Sequence, residues 1–207
     1  MTPIQRKAIS QANDANDAAS LAYERMLVAK SFDEYRSNWS AFLDYSAKVF
    51  EKIKNGAMAD QRTKSFWGSE RKMRKEDPLL QWLHQARNVE QHGLQRTIEH
   101  VPGRAFGRLE RGDVIRSKTT SRVRIGDVKI EADALDLSQI PEKRLTIVPS
   151  TAKLLTVTDD RFGDSFDPPT QHLGRTIHPL APTACVAMIK YHKGLIWRAF
   201  QSFSQAS

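Results

Sequence analysis

From about Ala15 to Gln95 apolar side chains return every three or four positions, the interval at which an α-helix turns one face inward. Ala18, Leu21, Ala22, Met26 and Ala29 share one such face, with Asp14 and Asp17 placed as caps ahead of them. Ser31, followed by Phe32-Asp33-Glu34, predicts the cap of a second helix. Along it Trp39, Phe42, Leu43, Ala47, Val49, Phe50 and Ile53 fall at helical spacing, and Asn55-Gly56 is expected to end it. A third, more polar helix is expected from about Ala57 to Lys75, anchored by Phe66 and Trp67. Asp77-Pro78 opens a fourth, since aspartate suits the cap and proline the first turn. Its stripe is Leu79, Trp82, Leu83, Ala86 and Val89. Four amphipathic segments with short connections predict a helical bundle.

The period changes after Pro102-Gly103. Ser121-Arg122-Val123-Arg124-Ile125 alternates, and Val128-Lys129-Ile130 follows Gly126-Asp127, which reads as a strand pair about a tight turn or one bulged strand. Leu145–Val148 and Leu154–Val157 read as two further strands, and the Asp-, Gly- and Pro-rich stretch from Asp159 to Gly174 as a loop. From Pro182 to Phe203 the helical period returns, with Val186, Ile189, His192, Leu195, Ile196, Ala199 and Phe203 along one side. The fold class expected is α+β: a bundle over residues 1–100, then a small antiparallel β layer and a closing helix over 101–207.

Composition adds a charge to this outline. The chain has 207 residues, 40% apolar and 27% charged, which is ordinary for a globular protein. Its formal charge of +8 is not, and it favours an acidic partner such as RNA. Cys185 is the sole cysteine, inside the apolar run Ala184-Cys185-Val186-Ala187, so it reads as a buried thiol and no internal disulfide can form. The first residues hold no apolar signal core, and no run approaches ~18 apolar residues. A soluble cytoplasmic protein without membrane contact is the expectation.

One segment carries chemistry. In the fourth helix Arg87 is followed by Asn88 and, five positions on, by His92. Arginine offers a permanent planar fork to phosphate oxygens, and histidine exchanges a proton near neutral pH. Asn88 could orient substrate or imidazole. Together such groups suit 2′-hydroxyl attack on an RNA phosphodiester without a metal. On an ideal helix Arg87 and His92 stand about 140° apart, so meeting at one phosphate requires a bend near Gly93 or a cleft that reads both flanks.

The run Arg87-Asn88-Val89-Glu90-Gln91-His92, on a late helix of an expected bundle, resembles the HEPN superfamily, whose hallmark is Arg, a polar residue and a following His. The resemblance covers roughly residues 15–95. It implies a metal-independent endoribonuclease in which Arg87 stabilises phosphate, His92 acts as acid and base and Asn88 orients. It further implies a homodimer with two motifs facing one cleft, no cofactor, and possible control by a protein partner such as an antitoxin.

Basic residues lead up to that motif. Arg62, Lys64, Arg71, Lys72, Arg74 and Lys75 lie on the third helix with Phe66 and Trp67 between them, a mixture suited to a phosphate backbone. A second cluster, from Arg104 to Arg124, surrounds the first strands. The acidic stretch Asp159–Asp167 lacks the ligand spacing of an EF-hand, and His100, His172, His178 and His192 match no zinc pattern, so no metal is expected. His192 falls on the apolar stripe and reads as a core or interface residue. The alternative to the ribonuclease or RNA-binding reading is a non-catalytic module whose helices dock a partner or a second copy.

Overall fold

Thr2 sets where the first helix begins. Its hydroxyl accepts the Gln5 backbone N–H at 3.2 Å, and the Gln5 side chain returns a bond to the Thr2 N–H at 2.8 Å, a capping box ahead of Pro3. The computed structural model describes residues 1–92, 95–107, 129–130, 145–148, 150–159 and 163–205; of these, 92, 104–107, 129–130 and 145–148 are described as backbone. Helix α1 (Pro3–Leu27) therefore starts well before Ala15, and Asp14 and Asp17 lie inside it instead of capping it. Ala8, Ala12, Ala15, Ala19, Ala22 and Met26 form its buried stripe, small enough for the next helix to lie close against it.

Ser31 caps α2 (Phe32–Met58), its hydroxyl accepting the Glu34 N–H at 3.1 Å. Trp39, Phe42, Leu43, Val49, Phe50 and Ile53 are buried along it. Gly56 does not end this helix; it is buried where α2 passes α1 and the C-terminal helix, and a Cβ there would stand 2.7 Å from the Ala8 Cβ and 2.9 Å from Phe203 Cε2. The third helix starts later than Ala57, because Asp60 caps a short 3₁₀ turn (Gln61–Thr63) first; α3 then runs Lys64–Glu76. Asp77 caps α4 (Pro78–His92) as its residue type requires, accepting the Leu80 N–H at 2.9 Å. The stripe Leu79, Trp82, Leu83, Ala86 and Val89 is buried as its spacing demands. The last helix, α5, runs Ala181–Gln205, with Cys185 and His192 inside the core and Val186 facing out.

The fold is thus α+β, with short antiparallel strand pairs between α4 and α5. Two compact units divide the chain. The first comprises Met1–Glu99 and Ala152–Ser207, the second His100–Thr151. In the second unit β2 (Arg104–Gly107) pairs antiparallel with β3 (Lys129–Ile130) and with β4 (Leu145–Val148), opposing Ala105 to Ile130 and to Ile147. The expected strand at Ser121–Ile125 and its turn at Gly126-Asp127 lie outside the described residues, as does the basic cluster from Arg108 to Arg124. β1 (Ile98–Val101) and β5 (Thr151–Leu154) make a two-stranded sheet.

Leu154–Val157 is not one strand. β5 ends at Leu154 and a new strand, β6 (Val157–Thr158), starts after a break. At the break the Leu155 N–H donates to the Thr97 carbonyl (2.9 Å) and its carbonyl accepts Trp82 Nε1–H (3.1 Å), so the core tryptophan takes a bond a strand would have used. Likewise the stretch from Asp159 to Gly174 is not all loop. β7 (Ser165–Phe166) pairs with β6, and β8 (Gln171–His172) pairs with β9 (Arg175–Thr176). Leu173 and Gly174 turn that hairpin with φ of 48° and 73°, the left-handed values a two-residue turn needs. Leucine holds this conformation because its N–H donates to Asp77 Oδ2 at 2.7 Å, while His172 Nδ1 meets Oδ1 at 3.0 Å. Burial opposes ionisation of Asp77, yet the bonds from His172, Leu173 and Leu80 prevail and lower its pKa. One carboxylate therefore fixes the start of α4 and the hairpin beside it.

Candidate functional site

The face of interest is built by α2, α3 and α4, and Asp77 fixes the point from which α4 projects its side chains. Three residues along a helix return to nearly the same side, so His84 and Arg87 share a flank of α4. Arg74, ten residues earlier on α3, reaches across to it: its guanidinium lies 2.8 Å from His84 Nδ1. An arginine only donates, so Nδ1 accepts and the ring proton belongs on Nε2. Asp44 of α2 closes the other side, accepting Arg87 Nε–H at 3.3 Å and Gln91 Nε2–H at 2.6 Å.

Arg74 does not join the solvated row predicted for the third helix. Its guanidinium lies over the Phe50 ring, 4.3 Å from the centroid, and its buried Nε has no hydrogen-bond partner among the described residues. Desolvation, and then the charge of Arg87, bring its pKa down to about 10, so it stays cationic at neutral pH. His84 is lowered too, to about 4, first by burial of its ring and then by Arg74 and Arg87. At neutral pH the imidazole is an uncharged donor between two cations.

These groups open onto a small pocket whose walls include Ser46, Phe50, Arg74, His84, Arg87 and Met188. It is partly open to solvent and offers about 10 Å³, room for about one water-sized occupant. The Ser46 hydroxyl, buried in this wall, also has no hydrogen-bond partner among the described residues. The arrangement therefore offers donors to one small acceptor: hydroxyl, guanidinium and imidazole N–H groups around a space the size of one oxygen.

Arg87 is two-thirds buried and sits on this pocket, but paired with Asp44 inside its own bundle. Asn88 Nδ2 donates a long bond, 3.4 Å, to Gln85 Oε1. His92 is the last residue of α4, and its side chain is not among the described atoms. Of the basic row, Lys64, Arg71 and Lys75 are exposed, Arg62 is drawn to Asp60 at 2.9 Å, and Lys72 lies 3.8 Å from Glu76. Glu70, the one acid on the inner side of α3, is buried and taken up by Arg198 (2.7 and 3.0 Å) and the Tyr191 hydroxyl (2.9 Å). It leaves the outer side of α3 predominantly cationic.

Sequence reading overlooked His84, Ser46 and Asp44. His84 stands three residues before Arg87, a helical neighbour spacing, and that signal was available; Ser46 and Asp44 join only through the packing of α2 on α4. Among the described residues no three His, Cys, Asp or Glu side chains gather as metal ligands, and no helix is long and apolar enough to cross a membrane. His172 is held by Asp77, and His192 packs edge-on against Phe50. The chain matches no family model, no curated protein and no solved structure.

Proposed function

We propose that this protein binds RNA by its phosphate backbone at the α3–α4 face, and that the segment from Arg87 to His92 cleaves the bound strand without a metal. The observation that carries the reading is the convergence of Arg74, His84 and Arg87 on one pocket of single-oxygen size. A non-bridging phosphate oxygen placed there would accept from the Ser46 hydroxyl and the guanidinium and imidazole N–H groups, and would satisfy the Ser46 hydroxyl and Arg74 Nε, buried groups without a partner among the described residues. The Arg87–Asp44 pair is about one-third exposed on each side, so it is worth ~1 kcal/mol or less and gives way to the negative charge of a phosphodiester backbone. Lys64, Arg71 and Lys75 would carry the strand on either side of that phosphate.

Cleavage follows if His92 reaches the same phosphodiester. The 2′-oxygen bonds to phosphorus while its proton passes to a base, the bond from phosphorus to the 5′-oxygen breaks, and that oxygen takes a proton. The products are a 2′,3′-cyclic phosphate and a 5′-hydroxyl. A homodimer with facing motifs belongs to this proposal, since one helix holds Arg87 and His92 on different flanks.

A second reading, a non-catalytic docking module, is favoured by one observation: Arg87 already has an acidic partner within its own bundle. Incubating the purified chain with total RNA in excess EDTA separates the two. Cleavage to cyclic-phosphate ends, lost in His92→Ala, supports the nuclease. Arg87→Ala should weaken binding and lower the slope of log affinity against log salt by about 1. RNA left both intact and unbound by the unaltered chain overturns the reading in favour of the docking module.

A further inference from the structure

The outward side of α5 is unlike the rest of the surface. Ala184, Met188, Leu195, Ala199 and Phe203 bury its inner stripe. At 100° per residue the opposite side gathers Val186, Lys190, Lys193, Trp197 and Phe200 within an arc of roughly 80°. Trp197 is 59% and Phe200 43% exposed, and their rings stack on each other with centroids 5.8 Å apart and planes 17° from parallel. Lys190 and Lys193 are exposed two turns and one turn before Trp197, and among the described residues neither pairs with a carboxylate. The whole helix contains no aspartate or glutamate.

We propose that this stripe is a base-stacking platform for single-stranded RNA, with Trp197 and Phe200 receiving bases and Lys190 and Lys193 holding the adjoining phosphates. The proposal rests on the RNA reading above and narrows its substrate class to strands whose bases are unpaired. An exposed indole offers a planar face to any base, and neighbouring ammonium groups supply the charge a strand demands. The platform is rigid rather than adaptive. Arg198, next to Trp197, is forked onto buried Glu70 of α3, and Phe203 packs edge-on against Phe66 of the same helix, 6.0 Å between centroids. Trp197 is thereby fixed to the helix that carries Lys64, Arg71 and Lys75. A second copy of the chain is a poorer occupant, because a two-fold contact across this stripe would bring its uncompensated lysines toward their own counterparts.

The test measures affinity of the full chain for a single-stranded oligouridylate and for a duplex RNA of the same length. Trp197→Ala with Phe200→Ala should weaken the single strand roughly tenfold or more and leave the duplex unchanged. Trp197→Phe keeps a stacking ring, so it should retain most affinity while losing Trp197's share of the fluorescence quench that oligouridylate causes; Trp39 and Trp82 are buried, and partly buried Trp67 on α3 accounts for any quench that remains. Unchanged single-strand affinity in the double variant overturns the platform and leaves phosphate binding at Arg74 and Arg87 standing. Binding of neither RNA by the unaltered chain overturns both. A dimer seen by sedimentation and dissolved by the double variant assigns the stripe to a second copy and also refutes the proposal.

Discussion

Replacing Gly56 by alanine tests how the bundle is held together, because two opposing effects meet at one atom. In an exposed helix interior the change stabilises by about 1 kcal/mol, since glycine carries the greater entropy of the unfolded chain. At Gly56 the new methyl would stand 2.7 Å from the Ala8 Cβ, against a comfortable carbon separation of ~3.5–4.0 Å. The Ala8 Cβ is fixed to the backbone of α1, so relief requires the helices to part by about 1 Å. The Phe203 ring, 2.9 Å away on α5, blocks the other direction. Overpacking of this kind costs up to ~3 kcal/mol, which leaves a net loss of ~2 kcal/mol and a fall in melting temperature of ~4–8 °C for a chain of this size. Gly68 on α3 is the internal control: a Cβ there meets nothing within 4 Å, so Gly68→Ala should raise the melting temperature by ~2–4 °C. Thermal unfolding followed by circular dichroism reads both. Equal shifts of the same sign at the two sites would show that α1, α2 and α5 do not converge at residue 56.

Glu70→Ala removes the shared acceptor of Arg198 and Tyr191 and leaves a half-buried guanidinium unpaired, so denaturant titration should show a loss of ~3 kcal/mol; a change under 1 kcal/mol would place that ion pair at the surface. His192 is fully buried with neither ring nitrogen bonded among the described residues, and burial, then Arg74, lowers its pKa to about 3. The unfolded chain takes up a proton near pH ~6.5 that the folded chain refuses, so stability is level above that pH and declines as pH falls from 6.5 toward 3. His84 adds to the same decline down to about pH 4, less strongly because it is partly solvated. His192→Leu should therefore gain ~1–2 kcal/mol at pH 7 and flatten the acid limb in urea titrations at stepped pH; a steeper limb in the variant would refute the neutral, unbonded imidazole.

Local rules were readable where strong side chains enforce them. Trp39, Phe42 and Phe50 on α2, and Leu79, Trp82 and Leu83 on α4, announce their buried faces by spacing alone, and Ser31 and Asp77 announce the caps. The first half of α1 was missed because its stripe is alanine, whose hydrophobicity barely exceeds that of its polar neighbours; the interval is right but the amplitude is small. Gly56 misled in the opposite way. Glycine after asparagine has the composition of a helix end, and only the presence of Ala8 and Phe203 reveals that it is there for closeness.

The sequence by itself determined that the chain is mostly helical, the inward faces of α2 and α4, the net positive charge and the burial of Cys185, since each depends on neighbours within a turn or on a sum over the chain. The tertiary structure alone decided which charges meet. Arg74 was one cation in a basic row until the packing of α3 turned it over Phe50 and onto His84, and Asp44 reached Arg87 from 43 positions away. Periodicity tells which side of a helix faces the core, but not which residue of another helix stands opposite. That pairing follows from crossing angles and interhelical distance, which arise only when the faces close on one another.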